Sequence, residues 1–187
     1  FYEEKPQAPF FRELYSNSGL HKDIFIKNFQ DGVYDDFLIF IVSRNPWDRA
    51  VSFCLNKVLR DDTVKPIALR KMGFSKDMNI KECLDTIAKN PDSTEADSHY
   101  LSQSYGLFVN KKPLYNHVLK FENLNDDWER IRKHVYQNTS KNIPKLGHYK
   151  KTKDRKKYQD YYSPELQEKI GKRYADDIRI FGYSFEK

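Results

Sequence analysis

The sequence predicts an α/β fold with a central parallel sheet and helices on both of its faces. Residues 37–43 read FLIFIVS, a continuous apolar run of the kind found in strands that are covered on both faces. Candidate strands and helices then alternate along the chain, which is typical of parallel strands joined by crossover helices. At 187 residues the chain fits about one domain, so residues 1–187 are interpreted as a single domain.

The first strand leads directly into a helix. Asn45 is a good N-cap and Pro46 suits the first helical position, so a helix is predicted from Pro46 to about Leu59. Apolar residues recur in it at three- and four-residue spacing and define one buried face. The other predicted elements are a helix near 79–89, a strand at 114–121, a helix at 125–136 and a last helix from 163 to about 178.

Glycine and charge limit the kind of ligand. The seven glycines are scattered, which excludes a dinucleotide fingerprint and a Walker-type phosphate loop, because both need clustered glycines. The net charge of +6 indicates an anionic partner. In a parallel sheet such a ligand is expected at the carboxyl ends of the strands, and the best strand ends at Ser43-Arg44.

Cysteine content and hydropathy exclude other classes. Cys54 and Cys83 are the only cysteines and form no CxxC pair, which excludes a disulfide framework and a cysteine zinc site. No apolar run approaches the ~20 residues of a membrane span, and the first residues have no signal-peptide pattern. A cytoplasmic protein without a membrane partner is therefore expected, and its oligomeric state is left open.

The segment SRNPWDRAVS, residues 43–52, has the chemistry for binding an anion. A helix that begins at a strand end attracts anions through its free N–H groups and its dipole. Arg44 precedes the helix with a planar donor fork, Ser52 lies two turns in, and Arg49 lies one turn before Ser52. From spacing alone, phosphate binding and a structural role, in which both arginines cap and bridge surface carboxylates, remain equally open.

The stretch RNPWDRAVS resembles the 3′-phosphate-binding motif of sulfotransferases that use 3′-phosphoadenosine 5′-phosphosulfate (PAPS), most closely in their carbohydrate-type and bacterial branch. Four further segments are similar to that branch in the same order. They are His21, HYLSQ at 99–103, LKFENL at 119–124 and the C-terminal part from 161 to 183.

The resemblance implies the sulfotransferase fold, a P-loop-NTPase-like central parallel sheet flanked by helices. It implies transfer of a sulfuryl group from PAPS to a hydroxyl of a saccharide or a small-molecule acceptor, without a metal. Arg44, Ser52 and Arg49 are the implied cofactor contacts. The basic run at 148–157 would fold over the adenine and the phosphates, with the candidates Lys150, Lys151 and Lys153.

By the same resemblance His21 is the candidate general base, because an acceptor hydroxyl needs a positioned group to take its proton and His titrates near neutral pH. An ordinary packing role for His21 is the alternative, and Glu13 is a weaker substitute base. His99 and Gln103 are the candidate substrate contacts, and His99 is also a candidate for a contact to the cofactor.

One family feature has no match. The family's opening strand and phosphosulfate-binding loop, of the pattern Pro-Lys-Thr/Ser-Gly-Gly-Thr, do not occur in this sequence. A truncated chain is the favoured interpretation. A degenerate relative that binds nucleotide without catalysis, or a cradle supplied by residues 1–20, are the others. A basic nucleic-acid-binding protein is a further alternative, although no helix-turn-helix, zinc-finger or RNP signature occurs, so no nucleic-acid partner is expected.

Overall fold

The computed structural model describes residues 19–60, 67–93, 96, 98–147 and 155–186, and of residues 19–23 and 67–68 it describes the backbone alone. The chain divides into two compact units. The N-terminal unit consists of the described parts of Phe1–Ile39 together with Leu107–His117. The second unit, called the motif unit below, consists of the described parts of Phe40–Gly106 and Val118–Lys187. The single-domain organisation stays a prediction.

Helices and strands alternate as the sequence predicts, and the structure is α/β with a small parallel sheet. The described α-helices are α1 (Gly19–Gln30), α2 (Pro46–Phe53), α3 (Ile67–Lys71), α4 (Ile80–Lys89), α5 (Leu124–Thr139), α6 (Pro164–Arg173) and α7 (Ala175–Phe181). The described strands are β1 (Phe40–Ser43), β2 (Phe108–Val109), β3 (Lys112–Pro113) and β4 (His117–Lys120). β1 pairs with β4, and β2 pairs with β3 in an antiparallel hairpin.

The first strand differs from its prediction in length and burial. β1 spans four residues rather than the seven of the apolar run. Phe40 is 39% exposed and Val42 is 46% exposed, whereas Ser43 is fully buried. The expectation that this strand is covered on both faces is therefore wrong for the described part of the chain. Exposed and covered side chains alternate along β1, which is the pattern of a sheet that packs on one face.

The predicted helix after β1 forms, and its end is irregular. The Asn45 side chain caps α2 by accepting from the N–H groups of Trp47, at 3.1 Å, and Asp48, at 3.4 Å. After Phe53 the chain continues as a π-helix over Cys54–Val58, in which each hydrogen bond spans one residue more than in an α-helix. The helical stretch therefore reaches about as far as the sequence predicts.

The core of the motif unit joins α2, α4 and α6. The predicted apolar stripes of these helices are the ones that are buried, and Val51, Cys83, Leu84, Ile87 and Ile170 are fully buried. The predicted last helix is two helices, because Tyr174 leaves helical geometry between α6 and α7. Tyr174 is nevertheless buried in the same core.

Close contact at one residue fixes α2 against α6. The Trp47 indole donates from Nε1 to the carbonyl of Gln167 at 2.9 Å. A Cβ atom built on Gly171 would lie 3.1 Å from Cζ2 of Trp47, closer than an ordinary contact. Glycine inside a helix costs about 1 kcal/mol relative to alanine. The close approach of the indole to the α6 backbone explains why that cost is accepted here.

Substitution Gly171→Val tests this contact. Its γ-methyl groups would overlap the Trp47 ring, so we expect a loss of about 1–3 kcal/mol in the free energy of unfolding, the range for overpacked cores. Urea denaturation monitored by circular dichroism measures it. Lys172→Val is the matched control, because the Lys172 side chain is 76% exposed and a surface change there costs less than about 1 kcal/mol. Equal losses in the two variants would contradict the close contact.

Candidate functional site

The turn between β1 and α2 is held by buried polar side chains. Ser43 is fully buried and its hydroxyl shares a 3.1 Å hydrogen bond with that of Tyr183. Asn45, 1% exposed, donates from Nδ2 to the carbonyl of Ser184 at 2.9 Å and to the hydroxyl of Tyr158 at 3.2 Å. The turn therefore has a fixed shape set by residues distant in the sequence.

The first turn of α2 corrects one expectation. Free N–H groups were predicted at this helix end, but those of Trp47 and Asp48 are taken by the Asn45 cap. Pro46 has no N–H, and the N–H of Asn45 donates to Oε1 of Glu122 at 2.6 Å. The helix dipole remains, but the donors available to an anion here are side chains rather than these backbone groups.

Arg44 and Ser52 come together as their spacing predicts. The Arg44 guanidinium lies along the side of α2, with Nε 2.6 Å from Oδ2 of Asp48 and Nη1 3.2 Å from Oγ of Ser52. Residues four and eight positions on lie on the same helix face. The guanidinium also lies 4.6 Å from the centroid of the Phe121 ring, in a cation–π arrangement. Three contacts thus fix this side chain.

Asp48 binds a second arginine. Arg155 donates from Nη2 to Oδ1 of Asp48 at 2.6 Å and to the Asp48 carbonyl at 3.1 Å. Its Nε is buried and has no hydrogen-bond partner among the described residues. The Asp48 carboxylate therefore lies between the guanidinium groups of Arg44 and Arg155 and forms an ion pair with each, which leaves a net positive charge at this point.

A pocket of about 290 Å³ opens at this end of α2. Its lining includes three basic side chains and two carboxylates. The lining residues are Asn45, Asp48, Glu122, Arg155, Lys156, Lys157, Tyr158 and Gln159. The three basic residues belong to the end of the predicted basic run at 148–157. Lys150, Lys151 and Lys153 lie outside the described residues.

Glu122, which follows β4, is hydrogen-bonded to the turn between β1 and α2. In addition to its bond with Asn45, its Oε2 accepts from the Tyr183 hydroxyl at 3.1 Å. Burial raises the pKa of Tyr183, and the Glu122 carboxylate raises it further against the opposing effect of Ser43. The phenol therefore stays protonated at neutral pH and remains a donor to Glu122.

Arg49 and Gln103 have partners other than those expected. Arg49 donates from Nη1 to the carbonyl of Leu101 and from Nη2 to that of Ser98, at 3.1 Å, rather than to a carboxylate. Its guanidinium is directed to the 98–101 stretch, because these carbonyls lie within its reach beside α2. The Gln103 amide pairs with the backbone of Arg44.

The two candidate histidines lie in different units. His21 lies on α1 in the N-terminal unit, and its side chain is outside the described set. His99 lies in the motif unit, in a turn where its side chain is exposed. His99 is not among the residues that line the pocket, and the role of His21 stays a prediction.

Asp48, Glu122 and Arg155 are the site residues that the sequence analysis did not single out. Each had a signal: Asp48 lies one turn after Arg44, Glu122 lies in the strand-end segment LKFENL, and Arg155 lies in the basic run. A rule that seeks only cations at an anion site overlooks the carboxylates that position them.

The described residues contain neither a candidate membrane-spanning helix nor a candidate metal-binding cluster. None of the described helices has the length and apolar content that crossing a bilayer requires. Among the same residues, no three or more His, Cys, Asp or Glu side chains are grouped so as to hold a metal ion.

The chain matches a known protein family. A family model described as "Sulfotransferase family" matches residues 5–184. No curated protein sequence and no solved structure matches the chain. Because the match covers nearly the whole chain, including the motif turn, the basic run and the C-terminal helices, the chain belongs to the sulfotransferase family.

Proposed function

We propose that the protein transfers a sulfuryl group from PAPS to a hydroxyl of a saccharide or small-molecule acceptor. Membership of the sulfotransferase family supports sulfuryl transfer in general. The choice of PAPS as the sulfuryl donor rests on one observation, the contact between the Arg44 and Ser52 side chains on one face of α2. These are the residues that the sequence resemblance assigns to the 3′-phosphate.

The donors at this junction suit a phosphate dianion. A guanidinium has five N–H groups, so Arg44 keeps donors beyond the two that bind Asp48 and Ser52. Arg155 adds a buried Nε without a described partner, on the opposite side of Asp48. Such an orphaned donor is costly unless a ligand uses it. The proposed 3′-phosphate site therefore consists of Arg44, Ser52 and Arg155.

The basic run completes the proposed nucleotide site. Arg155 reaches α2, and its neighbours Lys156 and Lys157 line the pocket. Lys150, Lys151 and Lys153 precede them in the same run, so we propose that they fold over the adenine and the phosphates when the nucleotide binds. The net charge of +6 additionally favours an acidic acceptor.

PAPS supplies the sulfuryl group when it is bound, and the chain must supply the base. An acceptor hydroxyl becomes a good nucleophile only as its proton is removed, and His is the residue that accepts protons near neutral pH. We propose His21 for this role. Its imidazole would take the hydroxyl proton while cationic donors hold the negative charge on the nucleotide.

Nucleotide binding by Arg44→Ala is the first test. We expect wild type to bind 3′-phosphoadenosine 5′-phosphate and to bind AMP far more weakly, because AMP lacks the 3′-phosphate. Removal of a charged partner from a desolvated anion costs at least about 2 kcal/mol. The affinity of Arg44→Ala for 3′-phosphoadenosine 5′-phosphate should therefore be roughly 30-fold or more below that of wild type. Isothermal titration calorimetry measures both ligands.

Arg179→Ala is the matched control for that measurement. It removes the same charge from a side chain on α7 that is 72% exposed and bound to Asp176. A general polyanion binder would lose affinity equally in the two variants and would not distinguish the two nucleotides. Either result would contradict the proposed nucleotide site.

Turnover by His21→Gln tests the proposed base. Glutamine keeps a polar side chain but takes no proton, so we expect a 10²–10⁴-fold lower kcat with nucleotide affinity within about twofold of wild type. The assay follows release of 3′-phosphoadenosine 5′-phosphate from PAPS with a panel of saccharide and phenolic acceptors. His134→Gln, at an exposed position of α5, is the control. Full turnover by His21→Gln would exclude His21 as the base.

A further inference from the structure

We infer that Gln103 is a positioning residue that holds the backbone of Arg44, and that the buried carboxylate of Asp177 holds Gln103 in turn. The inference replaces the expectation that Gln103 contacts the substrate. It rests on the proposed function, in which Arg44 binds the 3′-phosphate, and it adds residues outside the pocket on which that site depends.

The Gln103 amide makes both hydrogen bonds that the backbone of Arg44 can offer it. Oε1 accepts from the Arg44 N–H and Nε2 donates to the Arg44 carbonyl, each at 2.8 Å. A primary amide has an acceptor and a donor side by side, so it pairs with the N–H and the C=O of one residue as a neighbouring strand would. The pairing fixes the peptides on either side of the Arg44 Cα and so the direction in which its side chain leaves the chain.

The same two bonds argue against a substrate contact. They use the amide oxygen and one of its N–H donors, and Nε2 also lies 3.5 Å from Oδ2 of Asp177. An acceptor hydroxyl would have to compete with the Arg44 backbone for these atoms. Because buried backbone groups left unpaired are costly, that exchange is unfavourable.

Asp177 fixes the other end of Gln103. It is fully buried on α7 and accepts from the N–H of Gln103 at 2.7 Å, and from the N–H and hydroxyl of Ser104 at 2.8 and 2.7 Å. A buried carboxylate is tolerated only when donors such as these compensate it. α7 therefore sets the position of the 103–104 turn.

Arg173 and Asp92 form a second set of hydrogen bonds, which fixes the residue before Gln103. Arg173 of α6 donates from Nη1 to the Ser102 hydroxyl at 2.9 Å and from Nη2 to Asp92 at 2.6 Å. The Asp92 carboxylate also accepts from the Ser102 N–H at 2.8 Å. Burial raises the pKa of Asp92, but the hydrogen bonds from Arg173 and Ser102 outweigh it, so the pKa is lowered and the carboxylate is ionised at neutral pH.

These contacts form a path from the C-terminal helices to the anion-binding arginine. α7 holds Gln103 through Asp177, and Gln103 holds Arg44, whose guanidinium must reach Ser52. A small displacement of the Arg44 backbone moves the end of its long side chain further, and misplaced binding groups lose much of their effect. Loss of Gln103 should therefore appear as lost recognition of the 3′-phosphate.

The test uses Gln103→Met, which is close to glutamine in shape and makes neither hydrogen bond. We expect about tenfold lower affinity for 3′-phosphoadenosine 5′-phosphate with unchanged affinity for AMP, measured by calorimetry. In the ligand-free protein, the Arg44 amide should exchange with deuterium at least tenfold faster, while amides of α6 keep their protection. Gln137→Met, at an exposed position of α5, is the control and should change neither quantity.

Gln103→Asn provides a second variant in case Gln103→Met fails to fold, since it keeps the amide but is one methylene too short to make both bonds. Thermal unfolding shows which variants are folded. A folded variant that keeps its affinity for 3′-phosphoadenosine 5′-phosphate overturns the inference, whether or not the Arg44 amide exchanges faster. A raised acceptor KM with unchanged nucleotide affinity would restore Gln103 as a substrate contact.

A failure of the proposed function can be distinguished from a failure of the inference about Gln103. If wild type does not prefer 3′-phosphoadenosine 5′-phosphate to AMP, the proposed function is wrong. Amide exchange at Arg44 needs no ligand, so it still decides whether Gln103 holds this residue. Unchanged exchange in a folded Gln103→Met variant overturns the inference under either outcome of the nucleotide titration.

Discussion

The buried cap of α2 by Asn45 is the interaction on which the site depends. One side chain accepts from the first turn of the helix and donates to Ser184 and Tyr158, while the backbone N–H of the same residue binds Glu122. It therefore joins the end of β1 to the end of β4 and to the C-terminal segment. A shorter or apolar residue could not satisfy these partners, and each buried group left unpaired costs about 1–3 kcal/mol.

This cap changes how the anion site is built. Because the helix N–H groups are already paired, recognition is left to side chains on the adjacent face, Arg44 and Ser52, and to Arg155 from the basic run. Two guanidinium groups this close would repel each other, and Asp48 offsets that repulsion by binding both. The acid within the basic motif is thus part of the anion site rather than an obstacle to it.

Short-range periodicity made part of this structure predictable. The N-cap at Asn45, the apolar stripes of α4 and α6 and the junction of Arg44 with Ser52 all follow from helical spacing over a few residues. The partners of Gln103 do not, because Asp177 is 74 residues away and nothing local marks it. The exposure of Phe40 and Val42 was missed because an apolar run indicates a strand but not how many layers cover it.

Magnitudes indicate why a fixed Arg44 suits a phosphate site. Ordering a free arginine side chain costs up to about 2 kcal/mol in rotamer entropy, and here folding has already ordered it through Phe121, Asp48 and Ser52. An arriving phosphate would share the Arg44 guanidinium with Asp48, whose ion pair with Arg44 is mostly buried, with side chains 21% and 18% exposed. Asp48 would keep Arg155 as its partner, so no carboxylate is left uncompensated. The gain from preorganisation depends on the Arg44 backbone staying where Gln103 holds it.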